Sequence, residues 1–181
     1  MPFRSNDLKN DLVRLELLVP EHFDELYSVA SDYRIWEQHP EKNRHEIEVF
    51  RKYFHSAQNA AAAYVIRDRV TSKIIGSSRF YQHNQFFKSI AIGYTFLAVD
   101  YWGGVYNRAI KQLMINHAFS LDIEHIIFHV GKYNFRSQKA VLKLGAKLFG
   151  ESEFESTSNN PVNLEFRLSR EDWEKHNKLH E

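Results

Sequence analysis

Two places where a strand-like run stops and a helix begins lie close together in this chain, and they constrain its fold more than any other feature. Between residues 92 and 146 an alternating run, Ile92-Gly93-Tyr94-Thr95, leads into Tyr101-Trp102-Gly103-Gly104 and then a helix-patterned segment over 105–121. A second apolar run, Ile126-Ile127-Phe128-His129-Val130, stops at Gly131, and Asn134-Phe135-Arg136-Ser137 opens another helix. Strand, helix, strand and helix in this order predict a parallel crossover. Both helix N-termini then point out of one sheet edge, each with unpaired backbone N–H groups and about half a positive charge. Such a pair suits a ligand with phosphates at one end and a polar acyl group at the other.

The rest of the chain supplies a sheet for this unit to join. Residues 12–18 alternate and end at Pro20, as a first strand would. Helical spacing follows over 21–30, a short helix is predicted over 32–37, and Ile47, Phe50, Phe54 and Ala57 share one face of a helix over 43–58. Residues 64–68 and 73–81 read as a hairpin, and 89–97 as a strand with Ile90, Ile92, Tyr94 and Phe96 on one face and Ala91, Gly93, Thr95 and Leu97 on the other. In the helix over 105–121 the core stripe reads Tyr106, Ala109, Ile110, Leu113, Met114, His117 and Ala118. Two more strands are predicted over 148–154 and 162–168 around a turn at 157–161, before Ser169 caps a closing helix.

Charge and composition exclude several functions. The 24 basic and 23 acidic side chains nearly cancel, which leaves no broad field for nucleic acid or an anionic membrane. No run of apolar residues is long enough to span a bilayer and the start lacks a signal-peptide core, so a soluble, cytoplasmic protein is expected. With no cysteine, disulfides and thioester intermediates on the enzyme are ruled out. The ten histidines include no helical His-x-x-x-His pair, and His125 and His129 sit about 13 Å apart if their run is extended, so no metal site is expected.

At the second helix mouth, Asn134 is a good N-cap and Gly145 a good left-handed terminator. Ser137 falls on the inward stripe with Ala140, Val141 and Leu144. An amide and a hydroxyl together can hold an acyl group and donate a proton to a leaving group. At the first mouth, Trp102-Gly103-Gly104-Val105 lets backbone N–H groups approach a pyrophosphate, although the spacing is neither a dinucleotide fingerprint nor a Walker loop.

Together with Lys143-Leu144-Gly145-Ala146 and the order of elements, these motifs resemble the GNAT superfamily of N-acetyltransferases, and within it the RimJ/RimL-like branch of ribosomal-protein N-terminal acetyltransferases. The resemblance runs over about 12–168 and implies an α/β fold, a mixed and splayed central sheet flanked by helices, in a single domain over 8–181. It implies acetyl-coenzyme A in the cleft between the strands at 89–97 and 126–130, its pantetheine arm pairing with the backbone at Leu97, Ala98 and Val99. The pyrophosphate is expected on the amides of Gly103, Gly104, Val105, Tyr106 and Asn107, with Trp102 and Arg136 also at the cofactor. Asn134 is expected to bond the cofactor arm and Ser137 to protonate the departing thiolate, in a direct attack by a primary amine with no metal.

Four positions depart from the family pattern. Val105 and Asn107 replace smaller residues in the phosphate loop, Ala91 stands where many relatives carry a glutamate that serves as general base, and Val141 stands where others carry a tyrosine. The general base is therefore open. Glu37 and His39 are candidates on the acceptor side and His83, near a strand end, is a third. The acceptor is a protein N-terminus or a small-molecule amine. The rival reading is a non-catalytic module that binds acetyl-coenzyme A. Oligomeric state is not legible, and a homodimer is compatible with the sequence.

Overall fold

A computed structural model describes residues 2–152 and 162–178, and its eight strands form one mixed sheet in the order β1-β2-β3-β4-β5-β6-β8-β7. The Asn10 side chain accepts from the backbone of Leu12 and Val13 and turns β1 (Leu8–Lys9) into β2 (Val13–Leu17). Pro20 ends that edge, and α1 (Phe23–Ala30) follows with Asp24 and Glu25 in its first turn, where the helix dipole favours them. The helix expected over 32–37 is a single 3-10 turn, Tyr33–Trp36, capped at its start by the Asp32 carboxylate, which accepts the Arg34 N–H at 3.0 Å. The next helix is shorter than its pattern and forms α2 (Ile47–Ser56).

β3 (Ala62–Asp68) and β4 (Ile74–Asn84) make the expected hairpin, whose turn is held by the Asp68 carboxylate accepting from Val70, Thr71 and the Thr71 hydroxyl. β5 (Ser89–Leu97) continues the antiparallel meander, α3 (Tyr106–Ser120) crosses over, and β6 (His125–Gly131) returns parallel to β5. α4 (Phe135–Leu142) follows, then β7 (Lys147–Ser152), β8 (Asn163–Ser169) and α5 (Arg170–Lys178). Ser169 Oγ accepts the Asp172 N–H and donates to its carboxylate, which starts α5. The turn predicted at 157–161 lies outside the described residues.

The core divides between the faces of the sheet. Tyr64 and Ile66 join a cluster with Ile110, Met114 and Ile115 of α3, whereas Val65, between them, joins Leu26, Phe50 and Phe54 from α1 and α2. Alternate residues of one strand face opposite ways, so the two helix layers cover opposite faces. Each fully buried Ile or Phe contributes about 1.5–3 kcal/mol of hydrophobic free energy relative to exposure. Strict alternation fails in β5. Tyr94 has φ +53, the pairing with β4 shifts between Ser77 and Arg79, and a bulge reverses the facing of the strand. Ile90, Ile92 and Leu97 therefore join the α3 cluster while Tyr94 and Phe96 join the other, which corrects the expected stripe of Ile90, Ile92, Tyr94 and Phe96. Tyr53 Oη donates to the Tyr94 carbonyl at 2.8 Å and satisfies the polar group that the bulge takes out of the ladder.

β5 and β6 pair over only three positions, Ser89 with His125, Ile90 with Ile126 and Ala91 with Ile127. Beyond Ala91 they diverge, and the sheet is splayed where the family resemblance implies it. Among the described residues no helix is long and apolar enough to cross a membrane.

Candidate active site

The splay opens into a continuous cleft of about 1200 Å³ that touches both helix mouths. Its first end is built from backbone. Gly103 sits at φ +71, which glycine adopts without a Cβ penalty. A Cβ built at Gly103 or Gly104 would meet nothing within 4 Å, so the bend faces open space. Val105, at the N-cap of α3, offers no side-chain cap, so the first N–H groups of that helix are available to an anion. Arg108, Lys139 and Lys143 line the same cleft and add positive charge.

Leu97, Trp102, Gly103, Gly104, Val105 and Asn107 all line this space. Ala98, Val99 and Tyr106 do not line it. The Ala98 N–H is spent on the Ile75 carbonyl at 2.8 Å, because β5 is still paired with β4 there. The Tyr106 ring turns toward the hairpin, its hydroxyl donating to Asp68 Oδ2 at 2.9 Å. Tyr106 can therefore contribute only a main-chain group.

At the second mouth Asn134 Oδ1 accepts the Ser137 N–H at 3.1 Å and caps α4. Asn134, Ser137, Ala140, Val141 and Leu144 face the cleft together, as the helical stripe predicts. Arg136 lies with its guanidinium 3.8 Å from the centre of the Trp102 ring and donates to the Ile35 carbonyl at 3.0 Å. It thus joins the Trp102–Gly104 bend, α4 and the 3-10 turn into one wall, and burial pulls its pKa down.

Side chains from distant segments form the other end of the cleft. His39, Pro40 and Arg44 enter from the loop before α2, Tyr81 from β4, Gly93 and Tyr94 from β5, and His129 from β6. The buried Arg44 guanidinium lies 5.1 Å from the Trp36 ring and 4.8 Å from the Tyr53 ring, and pairs with Glu41. Tyr81 Oη is 2.8 Å from His129 Nδ1, and His129 Nε2 is 3.7 Å from Glu165 Oε2. Burial pushes the Tyr81 phenol up and the His129 imidazolium down, with Glu165 opposing the second shift. Between the two ends Lys111 is buried, donates to Thr95 Oγ1 at 2.6 Å and has its pKa pulled down to about 7 by burial.

The three base candidates fare differently. Glu37 is exposed and does not line the cleft, and His83 is exposed at the end of β4 with its ring against Phe3. His39 does line it, but desolvation and the charge of Arg44 push its pKa to about 3, far too low for a base at neutral pH. Ala91 is fully buried where β5 last meets β6, and Val141 presents only an apolar wall. Sequence reasoning missed Lys111, Tyr81 and Glu165, and considered His129 only as a metal ligand. Lys111 lies off the predicted stripe of α3, and nothing local marks Tyr81 or Glu165.

A family model of the acetyltransferase (GNAT) domain matches residues 13–147. Among solved structures, a GCN5-related N-acetyltransferase from Brucella melitensis superposes with a TM-score of 0.82 at 17% identity, over 98% of this chain and 85% of that one. Mycobacterium smegmatis RimJ in complex with CoA-disulfide gives 0.69 at 16%, over 88% and 83%. Spermidine N-acetyltransferase from Vibrio cholerae in complex with CoA and spermine gives 0.70 at 16%, over 91% and 99%. At such identities these likenesses establish the fold, and no curated protein matches the sequence. The family match begins at β2 and includes the Gly103-Gly104 bend, the β5–β6 splay and the Asn134 cap, so the chain belongs to the GNAT acetyltransferase family.

Proposed function

We propose that this chain is a cytoplasmic N-acetyltransferase, one domain over 8–181, that moves the acetyl group of acetyl-coenzyme A directly onto a primary amine. The observation that carries this reading is the single cleft joining an uncapped, glycine-fronted helix mouth to the Asn134–Ser137 mouth and then to an acceptor end walled by aromatic and basic side chains. Its 1200 Å³ has room for an extended cofactor and a second substrate. The amides at 103–107 would take the pyrophosphate, and the backbone of β5 past the bulge would take the arm. Asn134 would orient the acyl end. Ser137, beside it, would give its proton to the leaving sulfur. Mycobacterium smegmatis RimJ bound to CoA-disulfide and the spermidine enzyme bound to CoA and spermine support the cofactor and an amine acceptor in general.

The test pairs calorimetric binding of acetyl-coenzyme A with release of free thiol in the presence of spermidine and of peptides beginning with serine or alanine. Binding together with thiol release that depends on an amine is expected. Binding without release from any amine would favour the non-catalytic module that Ala91 and Val141 suggest. Within the active protein, Ser137→Ala should lower kcat roughly tenfold with the cofactor Kd unchanged; an unchanged kcat would remove its role as acid.

A further inference from the structure

One buried amine in the cleft has no part in the transfer described above. Lys111 opens the core face of α3 that Met114, Ile115 and Ala118 continue, a place that helical spacing reserves for an apolar side chain. It is only 5% exposed, yet it lines the cleft. Its Nζ donates to Thr95 Oγ1 at 2.6 Å and lies 5.8 Å from the centre of the Phe128 ring. Thr95 stands on β5 four residues past the last pairing with β6, and Phe128 stands on β6 one residue past it. The amine therefore sits at the fork of the sheet, between the two helix mouths, with a neutral group on either side.

An ammonium in that place is costly, because burial removes its water and Thr95 offers a hydroxyl where a carboxylate would be needed. The cost is relieved when the proton leaves, and burial accordingly pulls the Lys111 pKa down to about 7. An exposed lysine keeps its proton to about pH 10.4. At pH 8 the Lys111 nitrogen is thus mostly a free amine. Its bond to Thr95 uses an N–H and leaves the nitrogen lone pair for an electrophile in the cleft.

We propose that Lys111 is a modification site whose Nζ takes the acetyl group of acetyl-coenzyme A held in the same cleft. The proposal rests on cofactor binding as described above. Confinement of both groups in one cleft makes the reaction effectively intramolecular. The neutral Nζ attacks the acetyl carbonyl carbon, and a C–N bond forms as the C–S bond breaks. The electron pair of that bond goes to sulfur, and the proton shed by the nitrogen ends there. One amide and one free thiol result, with no other reactant.

Acetyl-lysine suits these surroundings better than lysine does. The modification removes the charge that burial penalises and leaves a neutral amide beside Thr95 and Phe128. It also puts an acetyl group into the gap between β5 and β6, through which the cofactor arm would run. A chain left with acetyl-coenzyme A and no amine substrate therefore closes its own cleft. Lys139 and Lys143 line the cleft too, but both are exposed, so a reagent arriving from solvent meets them before Lys111.

The test is intact-mass and peptide-mapping spectrometry of the full chain incubated with acetyl-coenzyme A and no amine. A mass gain of one acetyl group is expected, located on Lys111 ahead of Lys139 and Lys143, and suppressed by excess desulfo-coenzyme A. N-hydroxysuccinimidyl acetate, which needs no cofactor site, should reverse that order. Lys111→Met, which restores an apolar stripe, should still bind acetyl-coenzyme A and gain no acetyl group at low dose. Calorimetry should show the acetylated chain binding acetyl-coenzyme A about tenfold or more weakly than the fresh chain, as overfilling a packed gap predicts. Bound acetyl-coenzyme A with Lys111 unmodified, or acetyl groups on exposed lysines alone, would overturn the proposal and leave the cofactor reading standing. Failure of the wild-type chain to bind acetyl-coenzyme A would overturn both.

Discussion

The two ends of the cleft are made of different material. The proposed cofactor end is mostly main chain: a left-handed glycine, an uncapped helix and a capping asparagine, drawn from two short runs of sequence. The acceptor end is mostly side chain, with Arg44, Tyr81 and His129 arriving from three elements well separated along the chain. Backbone recognition tolerates changes of side chain, which is why Val105 and Asn107 can stand in the loop and leave its amides in place. A side-chain constellation depends on every strand keeping its register. The cofactor end should therefore resist substitution and the acceptor end should be brittle.

Gly93→Val puts that contrast to its hardest test. A Cβ on Gly93 would come within 3.0 Å of Tyr81 Cε1 and Oη. The new side chain would drive Tyr81 away from His129 and displace the wall of the acceptor end, and kcat should fall by about 100-fold while the cofactor Kd holds within a few fold; a normal kcat would break the proposed division. Next in size is Lys111→Met, at the boundary between the two ends. Burial lowers the Lys111 pKa to about 7 in the folded chain, whereas the unfolded chain keeps the proton to about 10.4. Between these values unfolding takes up a proton, so folding stability rises with pH across the window and the penalty is full below about pH 7. Met should thus stabilise the chain by a few kcal/mol below pH 7 and by little near pH 10.5, as read by urea unfolding. A gain independent of pH would show that the ammonium is not what costs.

Gly103→Pro removes an amide and a positive φ at the first mouth, and should weaken acetyl-coenzyme A binding about tenfold or more by calorimetry, with kcat at saturation preserved. Unaltered affinity would place the pyrophosphate elsewhere. The smallest effect belongs to Asn134→Ala, where loss of the cap should cost about 1 kcal/mol in thermal or urea unfolding. Its loss of turnover, if larger than that of Ser137→Ala, would shift the acyl-orienting role toward the amide.

The same contrast explains what sequence reading recovered. β5 was located to the residue, because Ser89–Leu97 alternates cleanly, yet its facing was misjudged from Tyr94 onward, since no local rule marks a bulge at a tyrosine. The Asn134 cap and the left-handed Gly145 were legible because each depends on its own few residues. The helix expected over 32–37 is one turn, and its start was legible because Asp32 caps it through the Arg34 N–H. His83 looked like a site residue from its place near a strand end, and only its contact with Phe3 shows that it lies away from the cleft.

The sequence by itself determined the order of elements and the two helix mouths, since caps, turns and periodicity are set by contiguous residues whose backbone dihedrals they fix. It also determined that the proposed acetyl transfer can use no cysteine thiol of this chain, because the sequence has no cysteine. Tertiary structure alone decided which oxygen and which imidazole meet at the acceptor end. Tyr81 and His129 are 48 residues apart and on strands that are not neighbours. Their contact exists because the strand between them turns away and carries no side chain where the tyrosine crosses.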